Sequence, residues 1–430
     1  MRVALVNPAW SFEGSIYFGC REPHLPLEYG YAAALLEQAG HTVEIFDAQA
    51  EGLNKTALAR RITEFAPDMT VVTTAPSYLF WRCAPPELRV PQETLAALGA
   101  NCGLTVAVGP HGSTTPRTAL RKLGVDAVVM GECEELLVRL ADTPHSDWSG
   151  IPGLCHMVEG ETVVEGGPLA VDMTRLPALV WPQVVLHGHT HHHHRFDIEP
   201  RGPGAEIEAS RGCPYHCTFC AKDNFRDRYR RRPLATVLNE LDGLIAAGVV
   251  YVYFIDEIFL PWRQLLEALT ERPVQFGVQT RIDLWSREML DLLGAAGCVS
   301  IEAGIESLTQ PGRDRLDKRC KLSTDELSDL LIHAKRSVPF VQANLIATAG
   351  DEPGEVMRWR NALRCRGVWA NDPVPLFPYP GSPEYRALWG VPDDAAWERA
   401  LDYYLACNGS LSDIQEARPL RLEELEAARG

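Results

Sequence analysis

Three cysteines, Cys213, Cys217 and Cys220, stand within eight residues in the stretch EASRGCPYHCTFCAKD, which runs from Glu208 to Asp223. Their spacing is C-x3-C-x2-C, and no fourth cysteine lies nearby. Thiolates are the soft ligands that iron-sulfur clusters use. Three of them suit a cluster that keeps one iron free for something other than protein. A structural zinc site fills its fourth position with another Cys or His. His216 lies inside the stretch, so a Cys3His zinc site is one alternative, and three buried bystander thiols are another.

The residues before the motif fit a strand that delivers it. Ala205 to Ala209 alternates apolar and acidic residues, and Arg211-Gly212 turns the chain into the cysteine loop. Here the sequence resembles the radical S-adenosylmethionine (SAM) enzymes. That resemblance implies a partial (β/α)6 barrel whose first strand leads into the loop. It also implies a 4Fe-4S cluster on Cys213, Cys217 and Cys220, with one iron left for the amino and carboxylate groups of SAM. Phe219 matches the aromatic usually found before the third cysteine.

Six strands, each reached by a helix, are countable from Gly204 onward. They are expected at Ala205–Ala209, Val250–Ile255, Gln275–Val278, Val299–Gly304, Phe340–Leu345 and near Val374–Phe377. The resemblance makes polar residues at their ends candidates for SAM. Asp256-Glu257 stands where the family's GGE motif contacts the methionyl amino group, with both glycines replaced. Gln279 and Arg281 follow the third strand, and Glu306 lies in GIES at Gly304–Ser307, a match to the loop near the ribose. Each acidic residue also has a plain alternative role at a helix N-terminus. The segment from Phe377 to Ser382 resembles the PYPGT stretch of this subgroup, which makes Tyr379 a candidate to face the substrate.

From Met1 to about Leu140 strand and helix patterns alternate as in a doubly wound, Rossmann- or flavodoxin-like parallel sheet. Strands are expected at Arg2–Val6, Thr42–Phe46, Met69–Thr73, Leu104–Val108 and Ala127–Met130. Ligands of such sheets bind beyond the carboxyl ends of the strands. Small and polar residues gather at those ends: Thr73, Thr74 and Ser77, followed by Tyr78; then Gly109, Pro110, His111 and Gly112; then Gly131 and Glu132. Together with the cysteine motif downstream, these loops resemble the cobalamin-binding domain of cobalamin-dependent radical SAM enzymes, with its GPH-type and GE-E loops. A flavodoxin-like domain without ligand is the alternative. The DxHxxG motif, whose His coordinates cobalt in methionine-synthase-like domains, is absent after the first strand. The resemblance therefore implies cobalamin held without that His; His111 is an alternative cobalt ligand, but its place in the GPH-type loop implies packing on the nucleotide tail or capping of the next helix.

The expected organisation is a cobalamin-binding domain at 1–141, a linker at 142–202, a radical SAM barrel at 203–385 and a helical C-terminal cap on the barrel at 386–430. The linker contains the histidine-rich run 187–194, read as a polar linker, a metal binder or a lining of the substrate entrance. A net charge of -16 argues against a nucleic-acid partner. The basic run from Arg226 to Arg232 is expected to be a solvated helix start or an anchor for a cofactor phosphate. No signal peptide or membrane span is read, so a cytoplasmic location with mostly reduced cysteines is expected.

The resemblance implies that the reduced cluster splits SAM and that the 5'-deoxyadenosyl radical takes a hydrogen atom from a small-molecule substrate. Methylcobalamin would then methylate an unactivated carbon, with electrons from a donor such as flavodoxin or ferredoxin. The carboxyl ends of both sheets would have to face one closed cavity. A cyclase or rearrangement enzyme with the same cofactors, and a non-catalytic iron-sulfur redox sensor, are the alternatives.

Overall fold

The computed structural model describes residues 1–16, 23–77, 81, 83–188, 202–222 and 228–408. Tyr78, His189 to His194 and the tail from 409 onward lie outside them, so the expectations placed there stand as stated. Among the described residues no helix is long and apolar enough to cross a membrane. The chain divides into two compact units, one of Met1–Leu179, Cys220–Asp227 and Phe377–Gly430, the other of Val180–Phe219 and Arg228–Leu376.

The first unit is built on a seven-stranded sheet. Its strands are β1 (Arg2–Asn7), β2 (Thr42–Asp47), β3 (Met69–Thr73), β4 (Leu104–Val108), β5 (Ala127–Val129), β6 (Leu154–Val158) and β7 (Glu161–Glu165), in the order β2-β1-β3-β4-β5-β6-β7. The first five are parallel, as their apolar runs predict, and the 2-1-3-4-5 order is the flavodoxin-like one. β3 is buried at every position, as a central strand covered by helices on both faces must be.

Two features depart from the expected plan. The stretch read as linker contains β6 and β7, an antiparallel hairpin that extends the sheet beyond β5. Its turn is Glu159-Gly160, both with positive φ, as a tight hairpin requires. The helix Ala396–Asn408, expected to cap the barrel, packs within the first unit instead. Trp397 packs against His111 with the rings tilted by 36° and bonds Thr115, while Asp394 and Glu398 pair with Arg121 and Lys122. These acidic residues meet a helix, Pro116–Leu123, whose last turn is basic.

The second unit contains a six-stranded sheet of β8 (Gly204–Ile207), β11 (Tyr251–Phe254), β12 (Gln275–Thr280), β13 (Cys298–Glu306), β14 (Phe340–Leu345) and β15 (Trp369–Ala370), all parallel and in sequential spatial order. The short strands β9 (Ser210–Arg211) and β10 (Arg230–Arg231) pair antiparallel beside it. The sixth strand lies at Trp369–Ala370 rather than Val374–Phe377. Pro373, Pro375 and Pro378 carry no N–H, so the later segment keeps only an isolated bridge between Val374 and Ile346.

The basic run is also resolved by packing. Arg232 is fully buried, where it pairs with Glu240 at 2.7 Å and donates to the Glu208 carbonyl at 2.8 Å. Arg231 lies over the Trp262 ring. Arg232 is thus part of the barrel wall rather than a solvated helix start, while Arg231 stays exposed.

Candidate functional site

In the barrel unit, β8 leads through Glu208–Ser210 into the cysteine loop, and residues after β11 brace that approach. Asp256 accepts from the Ala209 N–H at 2.9 Å and from the Ser210 hydroxyl, and Glu257 accepts from the Gly212 N–H at 2.7 Å. Burial pushes the Asp256 carboxyl up to about 7; the Ser210 and Ala209 bonds oppose this, and Glu208 and Glu257 add to it. Neither carboxylate caps a helix. They hold the backbone that presents the cysteines. Arg211, fully buried and paired with Glu208 at 2.8 Å, adds a second brace. Reading the sequence assigned Arg211 only to a turn; a charged residue between an apolar strand and the cysteines was the available signal.

Cys217 is buried, Cys213 and Cys220 are half-buried, and all three are free of disulfides. Burial pushes the Cys217 thiol up to about 11; Lys318 and Arg281 draw it down, while Glu306 and Cys213 push it up. His216 is exposed, and among the described residues no three His, Cys, Asp or Glu side chains converge as a single metal ion would require. A 4Fe-4S cluster puts each thiolate on a different iron and does not need that convergence.

Arg281, at the end of β12, pairs with Asp283 at 2.8 Å and lies 4.0 Å over the Tyr215 ring of the cysteine loop. It is 6% exposed, and its Nη1 is buried with no hydrogen-bond partner among the described residues. Gln279 is half-buried on the same strand. Glu306 ends β13 with φ +64, and its carboxylate accepts from the buried Lys318 ammonium at 2.8 Å. Lys318 escaped the sequence reading because a lysine in DKRCK looks solvated.

In the first unit the expected ligand-side residues cluster at the carboxyl ends of β3, β4 and β5. Thr73 donates to the Ala75 carbonyl, and Ser77 is buried with φ +50. Gly109 has φ +129, and a Cβ there would lie 2.3 Å from Thr74 Oγ1. Pro110 opens a short helix, Pro110–Thr114, in which Ser113 Oγ accepts from the Gly131 N–H at 2.8 Å. The space beside Gly112 is taken by Val128, and that beside Gly131 by the Leu169 backbone. Glu132 accepts from the Val171 N–H at 2.8 Å. Gly131 and Glu132 thus serve packing of the 169–171 segment, and Gly112 that of its helix against β5.

His111 neither caps the next helix with its ring nor titrates near neutrality. Burial drives it down to about 3, against the opposing hydrogen bond to the Pro85 carbonyl; Lys122 drives it further. A neutral ring that donates through Nε2 leaves Nδ1 as an acceptor, and Nδ1 is buried without a partner among the described residues. Thr74 Oγ1 is likewise buried and unpartnered. Tyr379, in the same unit, is half-buried against Phe377 at a ring separation of 4.7 Å.

The donor sets fit the groups that such folds imply. Thiols outside any disulfide, with buried Arg281 and its unused donor acting on Cys217, suit an anionic cluster and a carboxylate ligand. An orphaned hydroxyl beside a glycine at a sheet's carboxyl end suits a bulky ligand with hydrogen-bonding edges.

Residues 207–358 match the Radical SAM superfamily and residues 21–141 the B12 binding domain. The chain is 26% identical over 322 residues to an uncharacterized methyltransferase of Pyrococcus horikoshii, covering 71% of this chain and 66% of that protein. It is 25% identical over 418 residues to the anaerobic magnesium-protoporphyrin IX monomethyl ester cyclase of Cereibacter sphaeroides, covering 90% and 64%. The chain thus spans about two thirds of the length of these relatives. In fold it is similar to the radical SAM methyltransferase TsrM from Kitasatospora setae, with TM-score 0.71 at 21% identity, covering 90% of this chain and 76% of that one. The chain thus joins a stretch that matches the B12 binding domain to one that matches the Radical SAM superfamily.

Proposed function

We propose that this chain is an enzyme that methylates an unactivated carbon of a small-molecule substrate, using a 4Fe-4S cluster, SAM and cobalamin. The observation that carries the reading is the three-cysteine loop at the end of the first barrel strand, in a chain whose other unit is a B12 binding domain. When bound, the reduced cluster with SAM supplies hydrogen-atom abstraction, and cobalamin supplies the methyl group.

The chain's own residues then bind and position. Cys213, Cys217 and Cys220 hold the cluster. Asp256 and Glu257 fix the loop that carries them. Arg281 offers its unused Nη1 donor, and Gln279 a neighbouring amide, to the SAM side of the site. Thr74, with Gly109 leaving room beside it, bonds the corrin edge, and Ser77 and Pro110 complete that loop face; Tyr78, outside the described residues, is a further candidate for the same ligand. Tyr379 faces the substrate. A flavodoxin- or ferredoxin-type protein supplies the electrons.

Anaerobic purification with iron, sulfide and cobalamin tests this. About four irons per chain and corrinoid absorption bands are expected, followed by 5'-deoxyadenosine release and transfer of a labelled methyl group from SAM to a compound in extracts. Stoichiometric zinc without iron, or no corrinoid, would sink it. A second reading, cyclisation or rearrangement without net methylation, is favoured by the similarity to the cyclase over 90% of the chain. A product without the label, formed with SAM cleavage, would select it.

A further inference from the structure

One buried ion pair of the barrel unit does more work than the proposed binding roles use. Lys318 is 1% exposed, and Glu306 is its ammonium's one hydrogen-bond partner among the described residues. An ammonium has three donors, so burying it against a single carboxylate oxygen is costly unless the site gains something by it.

The backbone is bent to achieve this placement. Of six non-glycine residues with positive φ among the described residues, three belong to this pair and its flanks: Glu306 at +64, Asp317 at +46 and Arg319 at +54. Each such conformation is unfavourable for a residue with a side chain and persists only where the surroundings impose it. The strand register shifts between Gly304 and Glu306. Gly304 has no side chain, and a Cβ there would lie 2.6 Å from Glu306 Oε1, so the carboxylate folds back over its own strand.

The turn that carries Lys318 is tied to its neighbours on both sides. The Lys318 N–H donates to the Arg313 carbonyl at 3.0 Å, and Arg313 in turn donates to the carbonyls of Ser307 and Leu308. The Thr218 N–H, next to Cys217, donates to the Leu316 carbonyl at 3.0 Å. The cysteine loop and the lysine turn are thus one hydrogen-bonded piece. Lys318 and Glu306 are both within electrostatic reach of the Cys217 sulfur, with opposite effects.

We propose that Lys318 is a positioning residue that sets the reduction potential of the cluster held by the cysteine loop, by cancelling the Glu306 charge beside Cys217. The inference rests on the cluster reading above. A cluster gains one negative charge when it accepts one electron, here from dithionite, with no bond made or broken. A carboxylate left bare beside it opposes that electron, and the ammonium removes the opposition.

The test uses the full chain, reconstituted anaerobically, with iron content and an EPR-monitored redox titration as readouts. Lys318→Met should keep its iron and lower the reduced-to-oxidised ratio at fixed potential on the order of tenfold, or about 59 mV for one electron. Lys318→Arg should change the ratio less than about twofold, since the charge is retained. Lys318→Met with Glu306→Gln should return toward the parent, because opposite charges are removed together. If Lys318→Met takes up no iron, Glu306→Gln decides: it should raise the ratio. Iron-loaded variants with an unchanged ratio overturn this inference alone, whereas a parent chain that binds no iron overturns the cluster reading with it.

Discussion

The imidazole of His111 and the indole of Trp397 lie 4.4 Å apart, centroid to centroid, which joins the loop after β4 to a helix 286 residues further along the chain. The indole N–H also donates to Thr115 Oγ1 at 3.2 Å, so one side chain fastens both ends of the short helix that begins at Pro110. Replacing Trp397 with Ala should remove this packing and cost the first unit about 3–5 kcal/mol. Thermal unfolding followed by the release of the C-terminal helix to protease would check it; an unchanged melting temperature would contradict the role given to Trp397.

The same contact predicts a pH dependence. The folded state holds His111 far below its ordinary value, to about 3, because of burial. Between that value and about 6.5 the unfolded chain binds a proton that the folded chain does not, so stability is present above pH 6.5 and is lost as pH falls toward 3. The variant His111→Leu should lose part of this acid sensitivity while being less stable at pH 7, where the bond to Pro85 is missing. Denaturant midpoints across pH 4 to 8 would show it as a shallower slope, and equal slopes would reject the assignment.

These dependences could not be read from the chain order alone. The five parallel strands of the first sheet were legible because each is an apolar run between a helical repeat and a turn, as Met69–Thr73 shows. The cysteine loop was legible because ligand spacing is local. The hairpin at Leu154–Glu165 was not, since its Pro and Gly flanks look the same in a linker and in a tight turn. Buried charges were the least visible. Arg211, Arg232 and Lys318 look solvated until the strand ends bring Glu208, Glu240 and Glu306 to them.

Arg232 and Glu240 provide the energetic counterpart. Their side chains are 0% and 1% exposed, so removing one partner strands a buried charge. Arg232→Met should destabilise the barrel by about 3–5 kcal/mol, while adding Glu240→Leu should recover most of that loss. A double-mutant cycle by chemical denaturation measures the coupling, and additive losses would show that the two charges do not depend on one another.

At Gly109 the expected change is in binding rather than in fold alone. Gly109→Ala would force a Cβ against Thr74 Oγ1 at 2.3 Å, at a φ of +129 that Ala rarely adopts. Thr74→Val keeps the shape and removes the orphaned hydroxyl. Both variants should bind cobalamin at least about tenfold more weakly, which is about 1.4 kcal/mol, with iron content per chain unchanged. Equal corrinoid retention by Thr74→Val would remove that hydroxyl from the site.

The final prediction separates ligand cysteines from packing cysteines. Cys213 and Cys217 stand in a loop braced by Asp256 and Glu257, while Cys298 is buried in β13 and Cys365 is exposed after the helix Pro353–Arg364. Alanine at Cys213, Cys217 or Cys220 should leave the fold intact, because the bracing bonds come from backbone N–H groups and the Ser210 hydroxyl, but should abolish cluster retention and SAM cleavage. Alanine at Cys298 should cost only packing, on the order of 1 kcal/mol, and at Cys365 almost nothing. Iron content, circular dichroism and 5'-deoxyadenosine release measured on all five variants distinguish the two classes. Full iron retention in any of the first three, with the fold unchanged, would remove that residue from the ligand set.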